Sequence, residues 1–433
     1  TAILSGAGGL TKIGSGTFNI NGTAQTYRGA TTIITGAPGV TGGVPSKIST
    51  LALNFSFTFR ASGATADTTR NVASNLISAS SALIMGGASA PQVATQLDAA
   101  QLAGVGNGSG RLLIAAGGTG ATTQTFASTT LGTGASDIVI TSSGTRTALL
   151  TLGAIARGRG ATLLVGNPDN ALSATNGVRT TSGAAGALLS DSNGTAYAVL
   201  ATNSSTTVTD WAMKNAGNVW LTAPIYTPSA AATANYGQTL TAGSTTNGSA
   251  TLTVASVANL VVGAIVSGTG IPVGASIQST NTTANTITIS APATATASGL
   301  TFTVAQNVNF TQTNTAAWTT QTINSLRMNA STAANLLIGA GQTITISTGG
   351  ILFGSGAAAA SLSTTVGQGT IVPGAGRELV IFANNNLLTI NAVLGQSAAG
   401  ATDVTFRGLV SVGLAKNDVL LNANSTYSGD TYI

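Results

Sequence analysis

Acid–base chemistry has little to work with in this chain. It holds ten acidic residues, only one of them Glu (Glu378), and no two lie within five positions of each other. Glycosidic cleavage and Ca²⁺ binding both need clustered carboxylates. Here Asp98, Asp137, Asp169, Asp191 and Asp210 could meet only across coils of the chain, and the simpler expectation is that they cap turns. There is no His, which removes His triads and the usual proton shuttle, and no Cys, which removes disulfides and thiolate metal sites. Gly104-Val105-Gly106-Asn107-Gly108-Ser109-Gly110 is as Gly-rich as a phosphate loop but lacks the Lys-Ser/Thr ending and a following helix. Thr1 at the amino terminus could serve as a nucleophile, yet reads better as an arbitrary start. The expectation is therefore no enzymatic activity, no catalytic residue, no cofactor and no metal. Trp211 and Trp220 remain as candidate glycan contacts, because aromatic side chains are enriched at binding sites. The competing reading makes them a bulky plug where a coil changes size.

The composition says what must position such residues. Charged residues are 6% of the 433, aromatics 4%, hydrophobic residues 43%, and there are 56 Gly. Disorder needs low hydrophobicity and high net charge, so it is excluded. Short strands joined by Gly, Asn and Thr turns fit, with small side chains repeated from coil to coil. The net charge of +5 is spread along the chain, Arg157 and Arg159 being the closest basic pair. A nucleic-acid groove wants a dense basic patch with stacking aromatics, so no nucleic-acid partner is expected. The most apolar run, Val257 to Val266, contains Asn259 and Gly263 and falls far short of the ~20 residues of a membrane span. The chain opens at Thr1 with no Met or leader, as a processed product or a piece of a longer polypeptide would.

The pattern along the chain is that of strands. Between Lys47 and Arg60, Ile48, Leu51, Leu53, Phe55, Phe57 and Phe59 alternate with small polar residues, the period of a half-buried strand pair. Pro91 to Leu102 carries Val93, Leu97 and Ala100 at helical spacing, although coils of strand are preferred there too. Further short apolar strands include Leu112-Leu113-Ile114, Ile138-Val139-Ile140, Leu163-Leu164-Val165, Ile344-Thr345-Ile346 and Leu379-Val380-Ile381-Phe382. Between Arg111 and Val165 no two-residue Asn-Gly hairpin joins them, which favours a parallel solenoid over a sandwich. Strand spacing suggests two or three strands per coil of about 20 to 22 residues, hence some 17 or 18 coils in one rod about 80 to 90 Å long. Asn247 to Val304 alternates more cleanly and reads as a small inserted β module. The expected division is 1–246 first part of the solenoid, 247–304 insertion, and 305–433 second part.

The ends echo each other. Thr26-Tyr27-Arg28-Gly29-Ala30-Thr31 returns as Thr426-Tyr427-Ser428-Gly429-Asp430-Thr431, preceded by Phe18-Asn19-Ile20-Asn21 and Val419-Leu420-Leu421-Asn422. Ile33 matches Ile433, a period near 400 residues. These motifs, with Gly8-Gly9-Leu10-Thr11-Lys12, Ile323-Asn324-Ser325-Leu326-Arg327 and Ile344 to Leu352, resemble the autotransporter-associated β-strand repeat proteins, very long secreted bacterial polypeptides. The resemblance covers most of the chain outside the insertion. It implies a right-handed parallel β-helix that is extracellular or on the bacterial cell surface, and is not an enzyme. The second copy departs from the signature, reading Lys416-Asn417-Asp418-Val419 where the Gly-x-Gly-Thr turn belongs.

The functional expectation is an all-β right-handed parallel β-helix (solenoid) with one small inserted β module. It would serve as an extracellular structural repeat of a surface or matrix fibre, stacked end to end on copies of itself. The alternative is an adhesin binding surface glycans or partner cells, and a polysaccharide lyase stands behind that.

Overall fold

The computed structural model describes residues 3–13, 16–33, 49–59, 68–71, 73–86, 110–116, 120–142, 145–201, 208–215, 221–228, 236–258, 260–272, 274–354, 358–384, 387–409 and 419–432. Among these residues the chain is all-β, without a helix and with most of its sheets parallel. The 91–102 segment with helical spacing lies outside the described residues.

Residues up to Trp211 build three main sheets that the chain visits in turn, besides two two-stranded ones. The longest takes Gly16–Asn21, Ser49–Asn54, Gly110–Ala115, Gly134–Thr141, Ala161–Gly166 and Ala198–Ala201 as successive parallel strands. A three-stranded sheet holds Ala121–Thr125, Thr147–Thr151 and Gly177–Arg179. A five-stranded one runs from Leu10–Lys12 through Thr31–Ile33, Leu83–Met85 and Ser128–Leu131 to Ala154–Arg157. Leu112 pairs with Ile138 and Ile138 with Val165, so one circuit takes 26 or 27 residues, longer than the strand spacing suggests. The register is set by apolar residues stacking on their like: Leu112 and Ile114, Ile138 and Ile140, Leu163 and Val165 all point into one core. Gln124 closes a corner of it, its amide donating to the Ile77 carbonyl at 3.0 Å and accepting from the Ile77 N–H at 3.2 Å.

Val208–Trp211 then pairs antiparallel with Ala198–Ala201 and ends this first stack. A second stack follows. Its longest sheet takes Thr227–Pro228, Asn307–Phe310, Ser325–Met328, Gly350–Phe353, Leu379–Asn384, Val404–Leu409 and Thr431–Tyr432, all parallel. Two four-stranded sheets complete it, one from Gln321–Ile323 to Val393–Leu394 and one from Ala334–Leu336 to Val419–Leu421. Between the first two strands of the longest sheet the chain leaves to form a six-stranded antiparallel sheet with its own core of Leu252, Val254, Val266, Ile277, Ile287, Ile289, Phe302 and Val304. That sheet takes in Gly237–Thr245, ahead of Asn247, because this strand pairs with Ala297–Ala305 from Gly237↔Ala305 to Thr245↔Ala297.

The two stacks lie side by side, which differs from the single long rod that strand counting suggests. The reason is on the outer faces of the two longest sheets. Leu164, Val199, Ala201 and Trp211 of the first pack against Leu352, Val380 and Phe382 of the second in a common apolar cluster. A parallel sheet whose two faces are both apolar must be covered on both. The rungs meet in reverse order: Asp137 faces Arg407, Trp211 faces Gly350 and Phe382, and Asp210 faces Arg327. The stacks therefore run in opposite directions along their axes.

Candidate functional site

Among the described residues, the arginines and carboxylates that form buried ion pairs gather at the seam between the stacks. Arg157 ends strand Ala154–Arg157, and its side chain is 2% exposed. One guanidinium nitrogen reaches Asp191 Oδ2 at 2.9 Å in its own stack, and the other reaches Glu378 Oε2 at 2.9 Å in the second. Its Nε donates to the Ala161 carbonyl at 2.8 Å, and its Cζ lies 5.5 Å from the centroid of the Tyr197 ring. Burial pushes the Tyr197 phenol up, and the charge of Arg157 opposes that shift. Asp191 also caps a turn, its Oδ1 accepting from the N–H groups of Asn193 and Thr195 at 2.9 and 3.0 Å. Glu378 Oε1 accepts from Gly160 N at 3.3 Å and from the Thr405 hydroxyl.

Two further clamps flank this one. Arg407, inside strand Val404–Leu409, is buried and bonds Asp137 Oδ1 at 2.5 Å and Thr162 Oγ1 at 3.1 Å. Burial pulls its pKa down, against the pull of Asp137. Asp137 Oδ2 in turn holds Arg111 at 2.8 Å. Arg159, two-thirds exposed, closes the rim on Asp403. At the far end Asp210 accepts from the Tyr226 hydroxyl and pairs with Arg327 at 3.1 Å, and burial raises its pKa despite both partners. Back at the Arg157 clamp, Arg377 spans a small polar recess lined also by Asp191, Glu378 and Asp403, and donates to the carbonyls of Asn193 and Ser347.

The arrangement has the composition of a catalytic cluster, with its carboxylates taken up by arginines. General acid–base work needs a carboxylate aimed at an open groove with a second group in reach. Here Asp137, Asp191, Asp210, Glu378 and Asp403 are each bound to an arginine. Among the described residues no group of three or more acids could hold a metal ion.

Of the residues singled out in the sequence, Asp137, Asp191 and Asp210 come to the seam, Asp191 as both a turn cap and an ion-pair partner. Asp169 sits in an exposed bend. Asp98, Thr1 and Trp220 lie outside the described residues, as does the Gly-rich run up to Ser109. Trp211 is fully buried with its ring edge-on to Phe382, centroids 5.4 Å apart. It presents no open face for a sugar, because it sits where the two sheets meet rather than on the surface. Arg111, Arg157, Arg159, Arg407 and Glu378 escaped the sequence reading as site residues. The available signal was their placement in or beside strands, since charges in so charge-poor a core must be paired to be buried.

The fold thus defines an all-β chain of stacked parallel sheets with an ion-paired seam. Comparison with protein-family models, with curated proteins and with solved structures finds no match.

Proposed function

We propose that the chain is a structural repeat module of an extracellular bacterial surface or matrix fibre, built as a right-handed parallel β-helix that folds back on itself. The observation that carries this reading is the seam: its ion pairs tie strand to strand, and its carboxylates are turned to arginines rather than to a ligand. The in-register stacking of rung on rung through both stacks supports it, since such architectures gain stability from each added neighbour. The likeness to the autotransporter-associated repeats agrees with this assignment and with association between copies. An adhesin would want clustered exposed aromatics on its projecting sheet, whereas the one aromatic between Gly237 and Ala305 is the buried Phe302. Two measurements test the reading. Electron micrographs of native material should show filaments, and anionic polysaccharides should survive incubation with the chain. Isolated particles at all concentrations, or chain-dependent depolymerisation, would overturn it.

A further inference from the structure

The echoed motifs at the two ends adopt one conformation. Thr26 N donates to Leu4 O at 2.9 Å, and Thr426 N to Leu394 O at 2.8 Å. Gly29 N donates to Gly8 O at 3.1 Å, and Gly429 N to Thr402 O at 3.1 Å. The Tyr27 and Thr31 hydroxyls lie 2.8 Å apart, those of Tyr427 and Thr431 2.9 Å. What differs is the covering. Ile20, beneath Leu53, is 5% exposed, whereas its counterpart Leu421 is 41% exposed; Thr31 is buried and Thr431 exposed. An asparagine ladder shows the same step. Asn54 donates its amide back to Asn21 Oδ1 at 2.6 Å, and Asn422 donates back to Asn391 Oδ1 at 2.9 Å.

The matched rungs sit in different sheets. Gly16–Asn21 belongs to the longest sheet of the first stack, but its counterpart Val419–Leu421 belongs to a four-stranded sheet of the second. Thr31–Ile33 lies in the five-stranded sheet of the first stack, while its counterpart Thr431–Tyr432 lies in the longest sheet of the second. Laying one rung on the other therefore makes the sheet ending in Val419–Leu421 run on as the longest sheet of a following first stack. The face through which that new first stack meets its own second stack then points away from the seam already formed.

We propose that a second copy of this sequence, entered after Ile433 as residue 34 follows Ile33, covers the Val419–Tyr432 rung with its own Ser49–Asn54 rung. Each second stack and the next first stack then form one rod. The reversal after Trp211 sends the following rod back alongside. This rests on the repeat-fibre reading above and deepens it: copies build a pleated row of antiparallel rods, not one straight rod. Sharing the common rung, a rod holds about twelve rungs, seven of the second stack and six of the first with one in common, or roughly 60 Å at the usual strand spacing.

The test is a chain of residues 1–433 followed directly by 34–433, compared with the single chain. Leu421→Cys supplies a unique thiol, as the sequence has no Cys. Covering should slow its labelling at least about tenfold in the double-length chain, because reaction then requires the rung to open. Negative-stain images should show parallel rods with a central one of roughly 60 Å. Slowed labelling on a single rod of about twice that length overturns the pleated arrangement and leaves the repeat fibre standing. Unchanged labelling overturns both. Should the double-length chain not fold, the same thiol on the single chain is followed as concentration rises. Protection accompanied by side-by-side growth supports the proposal, and no protection at any concentration refutes it.

Discussion

Asp137 holds two arginines of unlike surroundings, and that asymmetry makes a sharp prediction. Arg407 is 5% exposed and comes from the second stack, whereas Arg111 is 30% exposed and comes from the same sheet as Asp137. Asp137→Asn keeps the shape but leaves Arg407 enclosed without an anion, its other bonds going to neutral oxygens of Thr162 and Ser136. Removing one partner of a buried pair costs about 3–5 kcal/mol. Arg407→Met leaves Asp137 still paired with Arg111 at 2.8 Å, and the methionine lies against Phe382, whose ring Arg407 now faces at 5.7 Å. Its cost should be only about 1–2 kcal/mol, mainly lost hydrogen bonds. The double variant Asp137→Asn/Arg407→Met should then recover about 2 kcal/mol or more of the Asp137→Asn loss, since no orphaned charge remains. Urea unfolding followed by tryptophan fluorescence reads this directly, because Trp211 is buried at the seam. If the two single variants lose equal stability, or the losses simply add in the double, the seam is not held together as described.

Three other perturbations follow from the geometry. Gly349 has φ +69° and a methyl group there would overlap the Glu378 carbonyl oxygen, whereas Gly341 has the same φ with open space around it. Thermal melts should show Gly349→Ala failing to fold or losing several kcal/mol, and Gly341→Ala losing only about 1 kcal/mol. Because Gly237 and Ala305 are paired neighbours, replacing 238–304 with a two-glycine link should leave both stacks folded; loss of the β signature in circular dichroism would refute this. Burial raises the Asp210 pKa above the ordinary 3.8, so its protonated form favours the folded state and that stability fades as pH rises through the raised value. Asp210→Asn should therefore gain on the natural chain as pH climbs from 3.8 upward, measured as the difference in urea midpoints; a constant difference across that window would count against it.

The sequence alone determined the class of structure. Alternation in Leu112 to Ile114 and Thr343 to Ile346, the Gly-rich turns and the scarcity of helical runs already point to stacked strands, since local pattern fixes which side of a strand is buried. It also contained the rung repeat, as the paired Tyr–Thr bonds at both ends attest. What it did not decide was where one stack stops and the next lies. The runs Ala198–Ala201, Gly350–Phe353 and Leu379–Ala383 are buried on both faces, a burial that alternating strands such as Thr343–Ile346 do not show. Which face meets which partner depends on contacts between residues 200 and more positions apart, such as Arg407 with Asp137 and Arg159 with Asp403. Nothing in local spacing encodes those pairings. Trp211 shows the difference most plainly: its chemistry allows a sugar platform as well as a core residue, and only the sheet that arrives from Leu379–Asn384 made it a core residue, by covering both it and the apolar face beside it.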